Sequence, residues 1–488
     1  MTATTAKKML LAGDWVSSDY TIDSINPATG KLNFKVSSAD NNQVNLAVSA
    51  AQDAFNQASW RAMLPHHRAN LLYKISEGIN KYSLEFAKLQ MVENGKVFRE
   101  CQAQALSAAS TFRYYAGICE TTESEVTTPR GNYLSFIEYE PYGVVAAITP
   151  WNSPLTMEAQ KIAPSLAAGN AVILKPSEVT PSVGLLLGDI AMKAGLPKGI
   201  LTVLPGSGNV TGKSLIEHPG VNMISFTGGT STGRRIASVA ADRLVPIALE
   251  LGGKSPHIIF EDANLDAAAT GVCDGIFEGT GQSCIAGSRL FLQKSIAKKF
   301  LDILLKKASE IRVGMPDASN VDIGPMSSFI QREKVASYVQ LAKDEGGDIL
   351  LGGFAPKNFE LKNGAFYLPT IIGGLSSSAR VVKEEIFGPV LCVLIFDDEE
   401  DVIYQANDSV FGLAGGVWTA NYQRAWRVAK ALKTGLVWIN TYKQLSIATS
   451  FGGFKESGLG REKGPGGMRL YQQSKGIYLS LDEKNLNQ

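Results

Sequence analysis

Cysteine is scarce in this chain, with five in 488 residues at Cys101, Cys119, Cys273, Cys284 and Cys392. They are too scattered for a disulfide framework, and no C-x-x-C pair suggests a zinc site or a redox dithiol. Histidine is scarcer still. His66, His67, His218 and His257 form no H-E-x-x-H or comparable spacing, so no protein-bound metal is expected. An excess of one charge is also missing: 47 Lys and Arg stand against 46 Asp and Glu, spread over the whole length. That leaves no electrostatic footprint for nucleic acid or for an acidic membrane. Long apolar runs are absent too. The N-terminus MTATTAKKMLLAGDW meets Gly13 and Asp14 after a few apolar residues, far short of a signal peptide or a membrane span, so a cytoplasmic protein is expected. There is no repeat of solenoid period and no low-complexity tract.

What the chain does contain is 45% hydrophobic residues and 48 glycines, the profile of a large α/β protein of two or three domains. Its expected partners are small molecules or copies of itself. Residues 43–120 read as helical, with apolar residues three and four apart in VNLAVSAAQDAF and ANLLYKISEGINKYSLEFAKLQ. From 131 the period changes to alternation, with Tyr133, Ser135, Ile137 and Tyr139 on one face, a hairpin-type excursion that leads into the buried strand GVVAAIT. Apolar strands then alternate with helices. NAVILKP, ILTVLPG, VNMISFTGG and VPIALELGG read as strands, interspersed with helices in PLTMEAQKIAPSLAAG, PSVGLLLGDIAMKAG and STGRRIASVAADR. Such alternation predicts a doubly wound parallel sheet with ligands at the carboxyl ends of its strands. A second run spans about 255–440, with SPHIIFE, SRLFLQ, ILLGG, YLPTIIGG, PVLCVLIF and GLVWINT as strands and SIAKKFLDILLKKASEI among its helices. The chain closes with the glycine-rich SFGGFKESGLGREKGPGG, a short helix and the strand GIYLSL.

Several stretches carry candidate chemistry. GSGNVTGKS ends like a P-loop, but Ser207 stands where the first glycine is required, and for a dinucleotide fingerprint beginning Gly206 and Gly208 the third glycine comes one place late, at Gly212. FTGGTSTGRR follows a strand and opens a helix, so Gly228, Gly229 and Gly233 either leave N–H groups facing an anion or form a tight turn. In LKPSE, Lys175 and Glu178 project from a sheet edge, where they suit ribose hydroxyls, although Glu178 equally suits a cap for the helix near Pro181. Glu250, in LELGGKSP, is a salt-bridge partner or a base with a raised pKa. Asn152, between Pro150 and Pro154, serves a turn or an oxyanion. Cys284 by itself would be a small buried side chain. Its small neighbours in GQSCIAGSR instead leave the sulfur accessible, while the other four cysteines sit in apolar helix or strand contexts and read as packing residues.

Taken in order, PWNSP, KPSE, FTGGTSTG, LELGGKSP, GQSC, EEIFGPV and FGGFKESGLGRE closely resemble the aldehyde dehydrogenase superfamily, from about residue 10 to the C-terminus. The 34 positions from Glu250 to Cys284 fit its hydrolytic members. The resemblance implies an α/β fold with a Rossmann-like cofactor domain (1–123 and 142–252), an α/β catalytic domain (253–445), and a small β oligomerisation arm (124–141 and 471–488), with 446–470 as a connecting loop and helix. It implies Cys284 as the nucleophile, Asn152 and the Cys284 N–H as oxyanion donors, Glu250 as the base that activates water, and Glu462 as a carboxylate on a proton path or as a cap near the last helix. For the cofactor it implies contacts from Thr149, Trp151, Lys175, Glu178, Gly208, Gly228, Gly229, Gly233, Leu251, Glu385 and Phe387. Gly229 departs from the serine of many relatives and removes one phosphate hydroxyl. NAD is expected over NADP, because a carboxylate at 178 accepts from a ribose 2′-hydroxyl and repels a 2′-phosphate.

The implied aldehyde tunnel is lined by Ser153, Met157, Gln160, Ser283, Ile285, Leu445 and Phe451. This lining is mixed and poor in aromatics, which suits a small or medium aldehyde bearing a hydroxyl or amide-like group. No Lys or Arg is among these residues, although Lys443 nearby leaves a carboxylate-bearing semialdehyde open. The expected activity is oxidation of the aldehyde to the free acid. Two rivals stand beside it: a CoA-acylating dehydrogenase, which Glu250 opposes, and a non-catalytic binder on the same fold, which Cys284, Glu250 and Asn152 together oppose. A homodimer or homotetramer is expected, built by edge pairing of the arm.

Overall fold

The computed structural model describes residues 6–482, so residues 1–5 of the expected cofactor domain and 483–488 of the expected arm lie outside it. The helical entry segment is real and begins at Asp40. Its carboxylate accepts from the Gln43 N–H at 2.8 Å while the Gln43 side chain accepts from the Asp40 N–H at 3.1 Å, a capping box that starts the helix Asn41–Asn56. Helices Pro65–Lys81, Ser83–Asn94 and Phe98–Glu120 follow.

The first sheet has eight strands. Val144–Ile148 is flanked in parallel by Ala171–Lys175 on one side and by Met223–Thr227 on the other. The chain steps outward from Val144–Ile148 to Ala171–Lys175 and Leu201–Val203, then crosses back to Met223–Thr227 and Ile247–Glu250. This reversal is the switch point at which doubly wound sheets open a crevice beyond the strand carboxyl ends. Thr149, Lys175, Gly228 and Glu250 all stand at that edge. These strands are almost wholly buried, which explains their continuous apolar sequences.

Two edge features are absent from the sequence pattern. Met9–Leu11 and Asp14–Val16 close one side of the sheet as short antiparallel strands, and Gly458–Leu459, from the glycine-rich loop, pairs with Ile247–Glu250 on the other. A further hairpin joins Thr21–Ile25 to Leu32–Ser37. Strands this short carry too few residues to display a period.

The second sheet has seven strands, parallel apart from the edge strand Asp348–Leu351. Its order places Ala414–Trp418 between Pro256–Ile259 and Leu436–Ile439. AGGVW does not read as a strand because glycines replace its apolar side chains; here Gly416 lies under the Tyr442 ring. The alternating segment Tyr133–Pro141 pairs along its whole length with Gln472–Ser480 and only briefly with Glu125–Val126. The excursion is thus completed from the far end of the chain, by a strand that begins before GIYLSL. Among the described residues no helix is long and apolar enough to cross a membrane, and no group of His, Cys, Asp or Glu is arranged to hold a metal.

The helix Pro154–Ala167 fills the gap between sheet and entry helices and is buried on nearly all sides, charged residues included. Among the described residues neither carboxylate oxygen of its Glu158 has a hydrogen-bond partner, and burial, then the Glu93 carboxylate, hold the Glu158 carboxyl well above the usual range. A carboxyl with a raised native pKa binds more protons folded than unfolded. Stability is therefore lost as pH climbs from the ordinary carboxylate range toward the native value. Glu158→Gln removes this linkage. The loss of melting temperature between about pH 5 and about pH 8 is expected to shrink in the variant, and equal losses in both proteins would contradict it.

Candidate active site

A cavity of about 680 Å³ opens beyond the carboxyl edge of the first sheet. Of the residues expected to hold a cofactor, Thr149, Trp151, Lys175, Glu178, Gly208 and Gly228 line it. Lys175 lies between the Pro176 carbonyl, at 3.0 Å, and the Glu178 carboxylate, at 3.6 Å. Glu178 accepts from the Gly208 N–H, so it binds the neighbouring turn and does not cap the following helix, whose N-cap residue is Thr180. GSGNVTGKS itself folds as a π-helical turn over Gly208–Gly212.

The helix Thr230–Arg243 points its N-terminus at this region, and its N-cap Gly229 supplies no side-chain cap. Space around Gly229 is open, whereas a Cβ on Gly233 would collide with Leu251, which fixes how closely the helix approaches the next loop. The buried hydroxyls of Thr149 and Thr227, both lining the cavity, lack partners. Uncapped N–H groups at a helix start, two orphaned hydroxyls and a Lys–Glu pair match the needs of a dinucleotide: donors for pyrophosphate, acceptors for ribose.

Cys284 stands where the two sheets meet. Gly279, Thr280 and Gly281 take left-handed φ values of +65°, +58° and +69° and turn the chain sharply before it. A Cβ on Gly281 would overlap the Gly388 carbonyl, and one on Gly253 would overlap the carbonyl of Cys284. The LELGG loop can therefore lie directly against the cysteine loop only because residue 253 has no side chain. Asn152 Nδ2 donates to the Gln282 carbonyl at 2.9 Å, which ties the PWNSP turn to the same loop and leaves one amide N–H unused. Cys284 is half-buried as a residue, whereas the four other cysteines are buried, and all five are free of disulfides. Burial, then the Glu250 and Glu385 carboxylates, push the Cys284 thiol up to about 12.

Glu250 is buried, and neither of its oxygens has a hydrogen-bond partner among the described residues. Burial first, then Glu462, hold its carboxyl well above the usual range, opposed by Lys161, Arg461 and Lys463. Among the described residues it is therefore not half of a salt bridge. The ion pair belongs to Glu462. Lys161 Nζ lies 2.7 Å from Glu462 Oε1 and 3.1 Å from Ser225 Oγ, and Ser225 in turn is 2.9 Å from the Tyr471 hydroxyl. Gln160 Nε2 also donates to Glu462. The cap reading of Glu462 fails, because the short helix Gly466–Arg469 has Pro465 at its N-cap and no side-chain cap.

On the second-sheet side, Glu385 accepts from the Gly253 N–H at 3.0 Å. Phe387, at φ +61°, meets Trp151 edge-to-face with centroids 5.3 Å apart, and Gln331 holds its carbonyl at 2.9 Å. The residues expected to line the tunnel scatter more widely. Phe451 and Ile285 share one apolar cluster with Cys284. Ser153 receives Lys96 Nζ at 3.4 Å and Gln104 Nε2 at 3.2 Å, and Met157 is half-buried one turn further along. Gln160 is committed to Glu462, Leu445 is exposed, and Ser283 falls in a narrow crevice with Glu385 and Phe387, on the side of the cofactor candidates. Lys443 is occupied by the carbonyls of Asp274 and Glu278 at 3.0 and 3.4 Å.

Sequence reasoning missed Lys161, Ser225, Tyr471, Lys96, Gln104 and Lys463. One signal was available for Lys161: Glu158, Gln160 and Lys161 are consecutive or nearly so in a helix otherwise reading as buried, and buried charges need partners.

Residues 15–477 match the model of the aldehyde dehydrogenase family. Betaine aldehyde dehydrogenase of Bacillus subtilis (strain 168) is 38% identical over 485 residues, covering 99% of both chains. The (Z)-2-((N-methylformamido)methylene)-5-hydroxybutyrolactone dehydrogenase of Acinetobacter baylyi is 39% identical over 470 residues, covering 95% of both. Among solved structures, betaine aldehyde dehydrogenase from Staphylococcus aureus in complex with NAD+ superposes with a TM-score of 0.96 at 37% identity, over 98% of this chain and 95% of that one.

The raised thiol gives a direct test of the Cys284 environment. In the cofactor-free protein, alkylation of the Cys284 peptide by iodoacetamide is expected to accelerate about tenfold per pH unit between about pH 7 and pH 9, with no plateau. Mass spectrometry of that peptide reads the rate, and levelling near pH 8 would contradict the raised thiol.

Proposed function

The chain belongs to the aldehyde dehydrogenase family and is an NAD-dependent enzyme that oxidises aldehydes to carboxylic acids, and from that premise we propose how its own residues divide the work. Cys284 is the nucleophile. Its sulfur, giving its proton to solvent water, adds to the aldehyde carbon to form a thiohemiacetal, and the charge on the former carbonyl oxygen is met by the spare Asn152 N–H and by the Cys284 N–H. NAD+, when bound, supplies the acceptor for the hydride leaving that carbon, and what remains on Cys284 is a thioester.

Glu250 then takes a proton from water, whose oxygen attacks the thioester carbon. The acid leaves and the sulfur is regenerated. The observation that carries this assignment is the pair of unpartnered Glu250 oxygens buried beside Cys284: no structural bond would be lost by using them. A carboxylate whose conjugate acid is held above its ordinary range is also a stronger base toward water. The Lys161–Glu462 pair, electrostatically coupled to Glu250, is the route by which that proton leaves. Lys175, Glu178, Gly208 and the Gly228–Gly233 turn hold the adenosine and pyrophosphate end, with Thr149, Trp151, Leu251, Glu385 and Phe387 toward the nicotinamide end. The Glu178 carboxylate favours NAD over its 2′-phosphorylated form.

The first sheet and its helices form the cofactor domain of this reading and the second sheet the catalytic domain. The arm strands, whose outer edges carry Val126 and Tyr478 exposed, pair with a further copy to build a dimer or tetramer. Five unpaired cysteines accord with a cytoplasmic place of work.

Cys284→Ala is expected to abolish NADH formation. Glu250→Gln is expected to keep a rapid burst of NADH equivalent to the enzyme present and to slow steady-state turnover by about 10²–10⁴-fold. Stopped-flow absorbance separates the two phases. Steady turnover that requires CoA would overturn hydrolysis, and normal steady turnover in Glu250→Gln would overturn the base assignment.

A further inference from the structure

Lys463 directly follows Glu462 in GREKG and has no part in the division of work above. Its backbone, at φ +59°, is clamped from both sides. Glu462 exchanges two hydrogen bonds with Phe451, at 2.8 and 2.7 Å, and the Gly464 N–H donates to the Ile447 carbonyl at 2.8 Å. The side chain thus starts from a fixed point. Its ammonium lies 5.0 Å from the centre of the Phe451 ring, and Phe451 belongs to the apolar cluster that contains Cys284 and Ile285.

The other cations of the site are engaged. Lys161 is paired with Glu462, Lys175 with Glu178 and the Pro176 carbonyl, and Lys443 with Glu278 and two carbonyls; Arg461 donates to the carbonyls of Gly453 and Gly460. Lys463 alone of these has no hydrogen bond or ion pair among the described residues, only the face of Phe451. Of the carboxylates nearby, Glu462 is paired with Lys161, and Glu250 makes no hydrogen bond to Lys463 among the described residues. A half-buried ammonium without an acceptor is unfavourable unless something supplies one.

We propose that Lys463 selects aldehydes that carry a carboxylate, pairing its ammonium with that carboxylate at the Phe451 wall of the site while Cys284 takes the aldehyde carbon. This rests on the assignment of Cys284 as nucleophile made above. It also changes which lysine answers the question of a semialdehyde substrate: Lys443 is occupied, and Lys463 is free. The selected class is a short ω-oxo acid, with the aldehyde at one end and the carboxylate at the other.

The test compares 4-oxobutanoate with butanal, of equal chain length, as substrates of wild type, Lys463→Gln and Lys463→Arg with NAD+. Wild type is expected to prefer 4-oxobutanoate. Lys463→Gln is expected to lower kcat/KM for 4-oxobutanoate by on the order of tenfold or more relative to butanal, mainly through KM, because a charge-assisted hydrogen bond is lost. Lys463→Arg keeps the preference. An unchanged ratio in Lys463→Gln, or an equal fall for both substrates, overturns the proposal, the latter showing that Lys463 serves only Cys284 and Glu250. Inhibition of wild-type butanal oxidation needs no variant: succinate is expected to inhibit well below the concentration at which neutral succinamide does, and equal inhibition overturns the proposal. Failure of wild type to reduce NAD+ with any aldehyde would instead overturn the nucleophile assignment beneath it.

Discussion

The ion pair between Lys161 and Glu462 is the contact on which the rest of the site depends. Both groups are buried, so each would be costly alone. Together with Ser225 and Tyr471 they join four parts of the chain: the buried helix Pro154–Ala167, the strand Met223–Thr227, the glycine-rich loop and the C-terminal strand region. The pair also sets the charge around Glu250. Glu462 raises the Glu250 carboxyl and Lys161 opposes that rise, so the electrostatics of Glu250 depend on a pair that it touches through no hydrogen bond among the described residues. The glycine-rich loop that carries Glu462 returns Phe451 to the cluster of Cys284 and leaves Lys463 over its ring. Anchoring one carboxylate thus fixes the surroundings of Glu250 and the position of Phe451 beside Cys284.

The second constraint is closeness of backbone. The two sheets share no strand, yet the chain brings their edges together at Gly253, which rests against the Cys284 carbonyl, and at Gly281, which rests against the Gly388 carbonyl. Residues on either side of these contacts gain fixed positions. Glu385 is held by the Gly253 N–H, Phe387 by Gln331 and the edge of Trp151, and Asn152 by the Gln282 carbonyl. A nucleophile between two rigid sheets, addressed from one side by the cofactor cavity and from the other by Phe451, needs little further ordering before chemistry begins.

Much of the scaffold was legible because buried parallel strands leave unbroken apolar runs between helices, as GVVAAIT and NAVILKP do. What escaped was short, glycine-bearing or formed with a distant partner. AGGVW lost its apolar signature to glycine, and Tyr133–Pro141 looked like half of a hairpin until Gln472–Ser480 supplied the other strand. The site shows the same division. Cys284, Glu250, Asn152, Lys175 and Glu178 stand out because each sits within three positions of a glycine or proline, at the end of an apolar strand or in a turn. Lys161, Ser225 and Tyr471 do not, since nothing in their local pattern tells a buried polar residue with a partner from one on a surface. Gln160 and Ser283 were assigned to the aldehyde tunnel through the family resemblance; in the structure Gln160 bonds Glu462 and Ser283 lines the crevice of Glu385.

The sequence by itself determined the two alternating α/β runs, the small-residue setting of Cys284, the ordered motifs of an aldehyde dehydrogenase and the absence of metal or disulfide patterns, because each of these is written in neighbouring residues. Tertiary structure alone decided which charges are paired and which are free. Lys161 and Glu462 are 301 positions apart and became partners, whereas Lys463, one residue beyond Glu462, and Glu250, at the end of its strand, were left with none. The physical reason is that an ion pair depends on distances of a few ångströms between side chains, and those are set by how helices and sheets pack, not by spacing along the chain.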